Sequence, residues 1–336
     1  MQRLLAFLFS TLFFLSASSQ QLPAMQAPLA SKSLMLDIFK INDKQIVAVG
    51  ERGHILLSDD AVTWHQANVP VRTTLTAVYF VDEKHGWAVG HDATILFSSD
   101  GGENWEIQQH LPEKEKPLLD IIFKDKNQGI AIGAYGQLYR TTDGGLTWNF
   151  EFHGEFLFPE DLEYLEDLKE HDKEAYLDEQ GSILAHFNSI FKDGLILYMV
   201  GEVGLIAKSD DFAQIWQPQD KIYQGSFNDI ARTQQGNLLV VGLRGNVFRR
   251  LESGSPWQQI PTGTNALLNS ILLGDNGSIY VLGNNGVILK SDDDGMSFSL
   301  NIQADGKALI SGIWFNNQLV IVSEVGIKVI PLMKLK

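Results

Sequence analysis

The chain has 336 residues, 44% hydrophobic and 20% charged, with 30 glycines and 10 prolines, so it can bury a core and wholesale disorder is excluded. A net charge of −15, with no basic spot denser than Arg249-Arg250, excludes a nucleic-acid partner, because phosphate binding needs clustered cations. Cysteine is absent, which removes disulfides, thiol catalysis and lipid anchoring through a thiol.

Residues 1–19 read as a secretory signal. Arg3 supplies a short basic start, Leu4 to Ser16 an apolar run of 13, and Ala17-Ser18-Ser19 the small residues of a cleavage site. Thirteen apolar residues are too few for a spanning helix, which needs ~20. The expectation is cleavage after Ser19, an exported or periplasmic location, and no transmembrane segment in the mature chain. Leu22 to Ala30 then precedes any repeat, and Pro23 and Pro28 suit an outermost strand, where a missing N–H does no harm.

A repeat follows. Its clearest copies run from Ala88 to Trp105 and from Ala131 to Trp148; others end at Trp64, Trp216, Trp257 and Phe298. A glycine after the apolar pair recurs at Gly50, Gly90, Gly133, Gly201, Gly242 and Gly283, with Ser323 in a seventh, degenerate copy. The steps are 40, 43, 68, 41, 41 and 40 residues, and a period near 40 with several short strands marks a β-propeller. In the second unit the strands are expected at Leu75 to Phe80, Gly86 to Val89, Thr94 to Ser98 and Trp105 to Gln108. Tight turns such as Glu51-Arg52-Gly53 and Asn284-Asn285-Gly286 join second to third strands.

The third and fourth strands join through Ser-x-Asp-x-Gly-x-x-Trp, which resembles the Asp-box. Asp100, Asp143 and Asp292 are placed to accept hydrogen bonds from their own turns, and Trp105 and Trp148 to plug between sheets. Both roles are structural.

The 68-residue step carries an insertion, 155–181. From Glu155 to Glu179 there are 11 acidic residues against two lysines. Pro159 with Glu160-Asp161 is a helix start, Leu162, Leu165 and Leu168 recur along it, and Gly181 offers a stop. An amphipathic helix on the rim is expected, either with a solvated acidic face or as a docking lever for a basic partner.

The seventh unit, Leu309 to Lys336, ends after its third strand. The ring is therefore expected to close with the N-terminal segment pairing outside Gly326 to Leu332. The whole reads as all-β: one seven-bladed β-propeller domain over 20–336, with Asp-box turns and a short helical insertion between blades 3 and 4.

No nucleophile elbow, phosphate loop, dinucleotide fingerprint or zinc-type histidine spacing occurs, and no metal or other cofactor is expected. The Asp-box leaves one enzymatic alternative, a sialidase-like glycoside hydrolase or a carbohydrate-binding propeller. A sialidase needs an arginine cluster at the axis, whereas Arg140 and Arg249 fall in third strands.

The stretch Leu75 to Gly90, followed by Thr94 to Trp105, resembles the photosystem II stability/assembly factor propellers of cyanobacteria and chloroplasts, and the likeness runs from Ser33 to Leu332 apart from the insertion. The resemblance implies a seven-bladed, exported, non-catalytic protein that binds membrane-protein assembly intermediates. A protein-binding scaffold, monomeric, with a protein or membrane-protein complex as partner, is the leading expectation.

Binding residues concentrate on loops of rigid scaffolds. The turns between second and third strands form a ring on one face: Glu51-Arg52, His91-Asp92, Ala134-Tyr135, Glu202-Val203, Leu243-Arg244, Asn284-Asn285 and Glu324-Val325. Arg52, Arg72, His91, Tyr135 and Arg244 are the candidate binding residues, since tyrosine and arginine favour interfaces. Tyr135, Val203, Leu243 and Val325 are more apolar than a tight turn requires.

Overall fold

The computed structural model describes residues 22–252 and 254–331. Six four-stranded antiparallel sheets and one three-stranded sheet follow one another along the chain, covering 35–66, 75–109, 118–150, 187–218, 227–260, 268–302 and 309–331. Each sheet runs in chain order from inner to outer strand. Successive inner strands contact one another around a closed cycle, including the first (Met35–Asn42) against the last (Leu309–Phe315). This is a seven-bladed propeller. The expected second blade is reproduced with strands Leu75–Phe80, Gly86–Gly90, Thr94–Ser98 and Glu106–Gln109.

Second strands are buried along all or all but the first residue of their length because neighbouring blades cover both faces. Gly86–Gly90 is one example. Trp87 in it is 1% exposed and stacks on Phe123 of the next blade, with centroids 3.5 Å apart. A side chain at Gly86 would strike the Phe80 ring at 2.4 Å, which explains the glycine that opens this strand. One apolar cluster fills each of the seven junctions between blades.

The ring is also stitched by side chains of the inner strands. Asp37 accepts from Val78 N (3.0 Å), Asp120 from Ile190 N (2.8 Å) and Asp229 from Ile271 N (2.7 Å), tying blades 1 to 2, 3 to 4 and 5 to 6. Thr76 donates to Leu118 O, Asn188 to Phe227 O and Asn269 to Leu309 O, tying 2 to 3, 4 to 5 and 6 to 7. Ser311 Oγ donates to Asp37 at 3.0 Å and joins blade 7 to blade 1. Every junction thus has a polar tie at the axis.

The Asp-box turns close on themselves. In blade 2, Asp100 accepts from Ser98 Oγ and Asn104 N, while Trp105 Nε1 donates to Gly102 O. Blade 6 corrects the expected register: Asp293, not Asp292, accepts from Ser291 Oγ, Ser297 N and Ser297 Oγ. Asp292 instead meets Lys290 and Ser278. Three consecutive aspartates made the register ambiguous, and only Asp293 has the required two-residue offset from Ser291.

Closure by an N-terminal strand is not what the structure shows. The outer side of Gly326–Pro331 has no strand partner among the described residues. Residues 22–29 run along blade 1 instead: Ala24 N donates to Val69 O, Ala27 N to the Gln66 side chain, and Arg72 Nε to Pro23 O. The following turn, Ala30–Lys32, packs so closely on the last strand that a side chain at Gly326 would meet Ser31 O at 2.2 Å. The segment therefore clasps both sides of the junction by packing. The expected signal at residues 1–19 lies outside the described residues.

The insertion forms two helices rather than one, α1 (Pro159–His171) and α2 (Lys173–Gln180). Asp172 divides them: its extended backbone ends α1, and its carboxylate caps α2 by accepting from Ala175 N. Of the three leucines only Leu165 is buried, while Leu162 is 37% exposed. No helix among the described residues is long and apolar enough to cross a membrane.

Candidate interaction face

The seven turns between second and third strands lie on one face, and hydrogen bonds fix them there. Glu51, His91, Ala134, Glu202, Leu243, Asn284 and Glu324 each donate a backbone N–H to the carbonyl just ahead of their own blade's inner strand. Type I′ geometry needs two consecutive residues at positive φ. Glycine takes the second position in five turns, whereas the first falls to Arg52 (φ 59°), Tyr135 (φ 55°), Val203 (φ 54°), Arg244 (φ 60°) and Asn285 (φ 59°). In blade 2 that position belongs to Asp92, so His91 sits one residue before the strained pair.

The ring distributes the candidate residues rather than gathering them. Arg52 is exposed, with Glu51 4.0 Å away. Arg72 is held to the N-terminal segment through Pro23 O. His91 is exposed on blade 2. Arg244 borders a shallow depression of about 540 Å³ with Tyr223, Gln259 and Thr262.

Tyr135 is different: it belongs to a built cleft. Its ring meets His186 edge-on at 4.6 Å and lies under Lys116 Nζ at 5.4 Å. With Val203, Glu202, Phe156, Phe158, Leu184 and Lys221 it lines a space of about 300 Å³ between the insertion and blades 3 and 4. Lys116 donates to Gly181 O and so anchors the end of α2 beside it; burial pulls its pKa down. Sequence reading named Glu202 and Val203 on the turn ring and missed the cleft's remaining residues. Their signal was the apolar pair of flanks, Phe156-Leu157-Phe158 and Ile183-Leu184, on either side of the acidic run.

At the axis a second cavity, about 380 Å³, is bordered by Asp37, Asp120, Tyr79 and Phe191. Asp37 and Asp120 are half-buried at its wall; burial pushes Asp37 up to about 6 and Asp120 and Asp229 to about 7, with repulsion between carboxylates adding to it at Asp120 and Asp229. Arginines do not converge there. Arg140 is bound to Glu151, Arg232 to Asp193 and Arg249 to Asp294, and Arg250 stacks on Trp257. The well thus lacks the cationic grip a sialidase needs, and the hydrolase alternative is not favoured. Among the described residues no group of acidic and histidine side chains could hold a metal.

The family model described as Photosynthesis system II assembly factor YCF48 matches residues 56–116 and 191–322, more than half the chain. The chain belongs to this family. Photosystem II assembly protein Ycf48 of Synechococcus sp. (strain JA-3-3Ab) is 31% identical over 236 residues, and that of strain JA-2-3B'a(2-13) 29% over 237. Each match covers 69% of this chain but 63% of the relative, so the chain spans less than two thirds of the relatives' length. The solved structure "YCF48 bound to D1 peptide" superposes with a TM-score of 0.68 at 17% identity, covering 91% of this chain and 94% of that one; at this identity the likeness concerns fold. Blade 3 and the acidic insertion lie between the two segments that match the YCF48 family.

Proposed function

We propose that this protein is an exported, non-catalytic scaffold that binds a polypeptide on its turn face and aids the assembly or stability of a membrane-associated complex. The observation that carries the proposal is the ring of hydrogen-bonded turns with large side chains at positions glycine or asparagine would occupy without strain. Tyr135 is 43%, Val203 50%, Leu243 37% and Val325 40% exposed, so solvent meets apolar groups on a rigid frame. Membership of a photosystem II assembly family, and a similar propeller solved with a D1 peptide, support a polypeptide as the ligand class. Arg52, Arg72, His91, Tyr135 and Arg244 are the proposed contact residues.

The test is affinity capture from a periplasmic extract with wild-type bait and with an Arg52→Ala/Tyr135→Ala/Arg244→Ala triple variant. The wild type should recover a defined partner that the variant loses. Equal recovery by both discards this face.

A further inference from the structure

We propose that the cleft between α1 and blades 3 and 4 is a docking site for a cationic amphipathic segment, one that pairs an aliphatic or aromatic anchor with lysine or arginine. The proposal rests on the scaffold reading above and names the chemistry of one part of its partner.

Strain supplies the first argument. Val203 sits at φ 54° with half its surface in solvent, and a β-branched residue there is a conformational outlier. Tyr135 adopts the same left-handed conformation across the cleft, at φ 55°. Neither turn needs these side chains to form, since Asn285 makes the same turn in blade 6. Strain that persists without a folding role marks a site.

The shape of the cleft supplies the second. Leu184 and Phe187 are buried beneath it, and Phe156 packs edge-on against Phe187 at 5.2 Å. An opening of about 300 Å³ with this floor admits a leucine- or phenylalanine-sized anchor.

Charge names the occupant. Among the described residues, only Glu155 and Asp167 of the 11 acidic residues between 155 and 179 have an ion-pair partner, a histidine in each case. Asp161 borders the cleft without one. At the opening Asp161 and Glu202 are matched in number by Lys116 and Lys221, which lie over the Tyr135 and Phe158 rings, and the acidic excess comes from the insertion beside it, 11 acidic residues against two lysines. An apolar floor beside an acidic insertion selects a segment that is apolar at its anchor and cationic on the side that faces the insertion. The insertion lies between the two segments that match the family, whereas Glu202, Val203 and Lys221 lie in the second of them.

The probes are two fluorescein-labelled dodecapeptides with identical leucine and phenylalanine anchors, spaced by lysine in one and glutamate in the other, read by fluorescence anisotropy against the full mature protein. The lysine peptide should bind at least twentyfold tighter than the glutamate peptide, and should weaken at least fivefold between 20 and 300 mM NaCl as screening shortens. Tyr135→Gly/Val203→Gly should weaken it at least tenfold while melting no lower than wild type, because glycine adopts this conformation freely. Asp161→Lys should weaken it at least threefold. Lysine-peptide binding that persists in the glycine variant is unspecific charge attraction and overturns the cleft, as does equal affinity for both peptides or none for either. If the glycine variant still captures the partner recovered by wild-type bait, the cleft falls and the scaffold reading stands. A wild-type bait that captures nothing removes the scaffold reading itself.

Discussion

Replacing Asp120 with asparagine should change the stability of the propeller in opposite directions at low and high pH. Burial raises the Asp120 pKa to about 7 from an ordinary 3.8, with Asp37 and Asp229 repelling its charge. The folded carboxyl therefore holds its proton more tightly than the unfolded one. The stability this confers is complete below about pH 4 and is lost as pH rises through 7. The shift corresponds to roughly 4 kcal/mol at ~1.4 kcal/mol per unit, shared among three carboxyls that titrate together.

Asparagine cannot ionise, so above pH 7 it escapes that penalty. It keeps one acceptor for the two N–H groups, Ile190 and Ile121, that Asp120 holds at 2.8 Å, and the lost bond costs about 1 kcal/mol. The variant should be less stable than wild type by about 1 kcal/mol at pH 3.5, cross it between about pH 4 and 5, and be more stable by roughly 2–3 kcal/mol at pH 8. At about 2 °C per kcal/mol, differential scanning fluorimetry at constant ionic strength resolves both signs. A variant-minus-wild-type difference in Tm that is flat from pH 5 to 8, or that falls with pH, refutes a buried, ionisable ring at the axis.

Asp293→Ala should lower stability by about 1–2 kcal/mol in urea titration by releasing three hydrogen bonds in its turn, while Asp292→Ala should stay within about 0.5 kcal/mol of wild type. Trp87→Ala, which empties the stack on Phe123, should cost about 3–5 kcal/mol by the same measurement. Gly136→Ala should be destabilising by more than about 1 kcal/mol, since the residue has φ 66° and its new methyl would sit 2.3 Å from Leu184 Cβ. Ser311→Ala should cost about 1 kcal/mol by removing the side-chain tie between blades 7 and 1.

The blades were legible because each unit repeats the same burial problem. A second strand covered on both faces must read as an unbroken apolar run, and Gly86-Trp-Ala-Val-Gly90 can hardly be anything else. The closure was not legible. Whether Leu22 to Ala30 pairs with the last strand or lies along blade 1 depends on which acceptor is nearer, and the Gln66 side chain and Val69 O win that competition. The tight turns could be placed, but not the cleft, because Leu184 and Tyr135 are 49 positions apart and meet only when the insertion folds back. The axial aspartates left a signal that went unread: Asp37, Asp120 and Asp229 each stand two residues after the buried residue that opens an inner strand. An acid recurring at one offset in alternate blades is a ring position, whatever its hydropathy.

That ring position bears on the turn face as well. Blades 1, 3 and 5 reach forward with a carboxylate, Asp37, Asp120 or Asp229, that accepts a backbone N–H, and blades 2, 4 and 6 with Thr76, Asn188 or Asn269, which donates to a backbone carbonyl; blade 5 adds Asn228, which donates to Leu268 O. Each tie secures the innermost strand of the next blade, and the turn donates its N–H to the residue just before that same strand. The axis and the turn face are thus mechanically one layer. A frame fixed at every junction can hold Val203 and Tyr135 in conformations that a looser loop would relax, which is how strained side chains stay presented to solvent. Loosening the axis should accordingly reach the face: Asp120→Ala, which frees the inner strand of blade 4 at Ile190, should speed amide exchange at Glu202, whose N–H is bound to His186 O at 3.0 Å, more than at Glu51 on the far blade. Exchange accelerated equally in both turns, or in neither, would mean that the turn face keeps its shape independently of the axis.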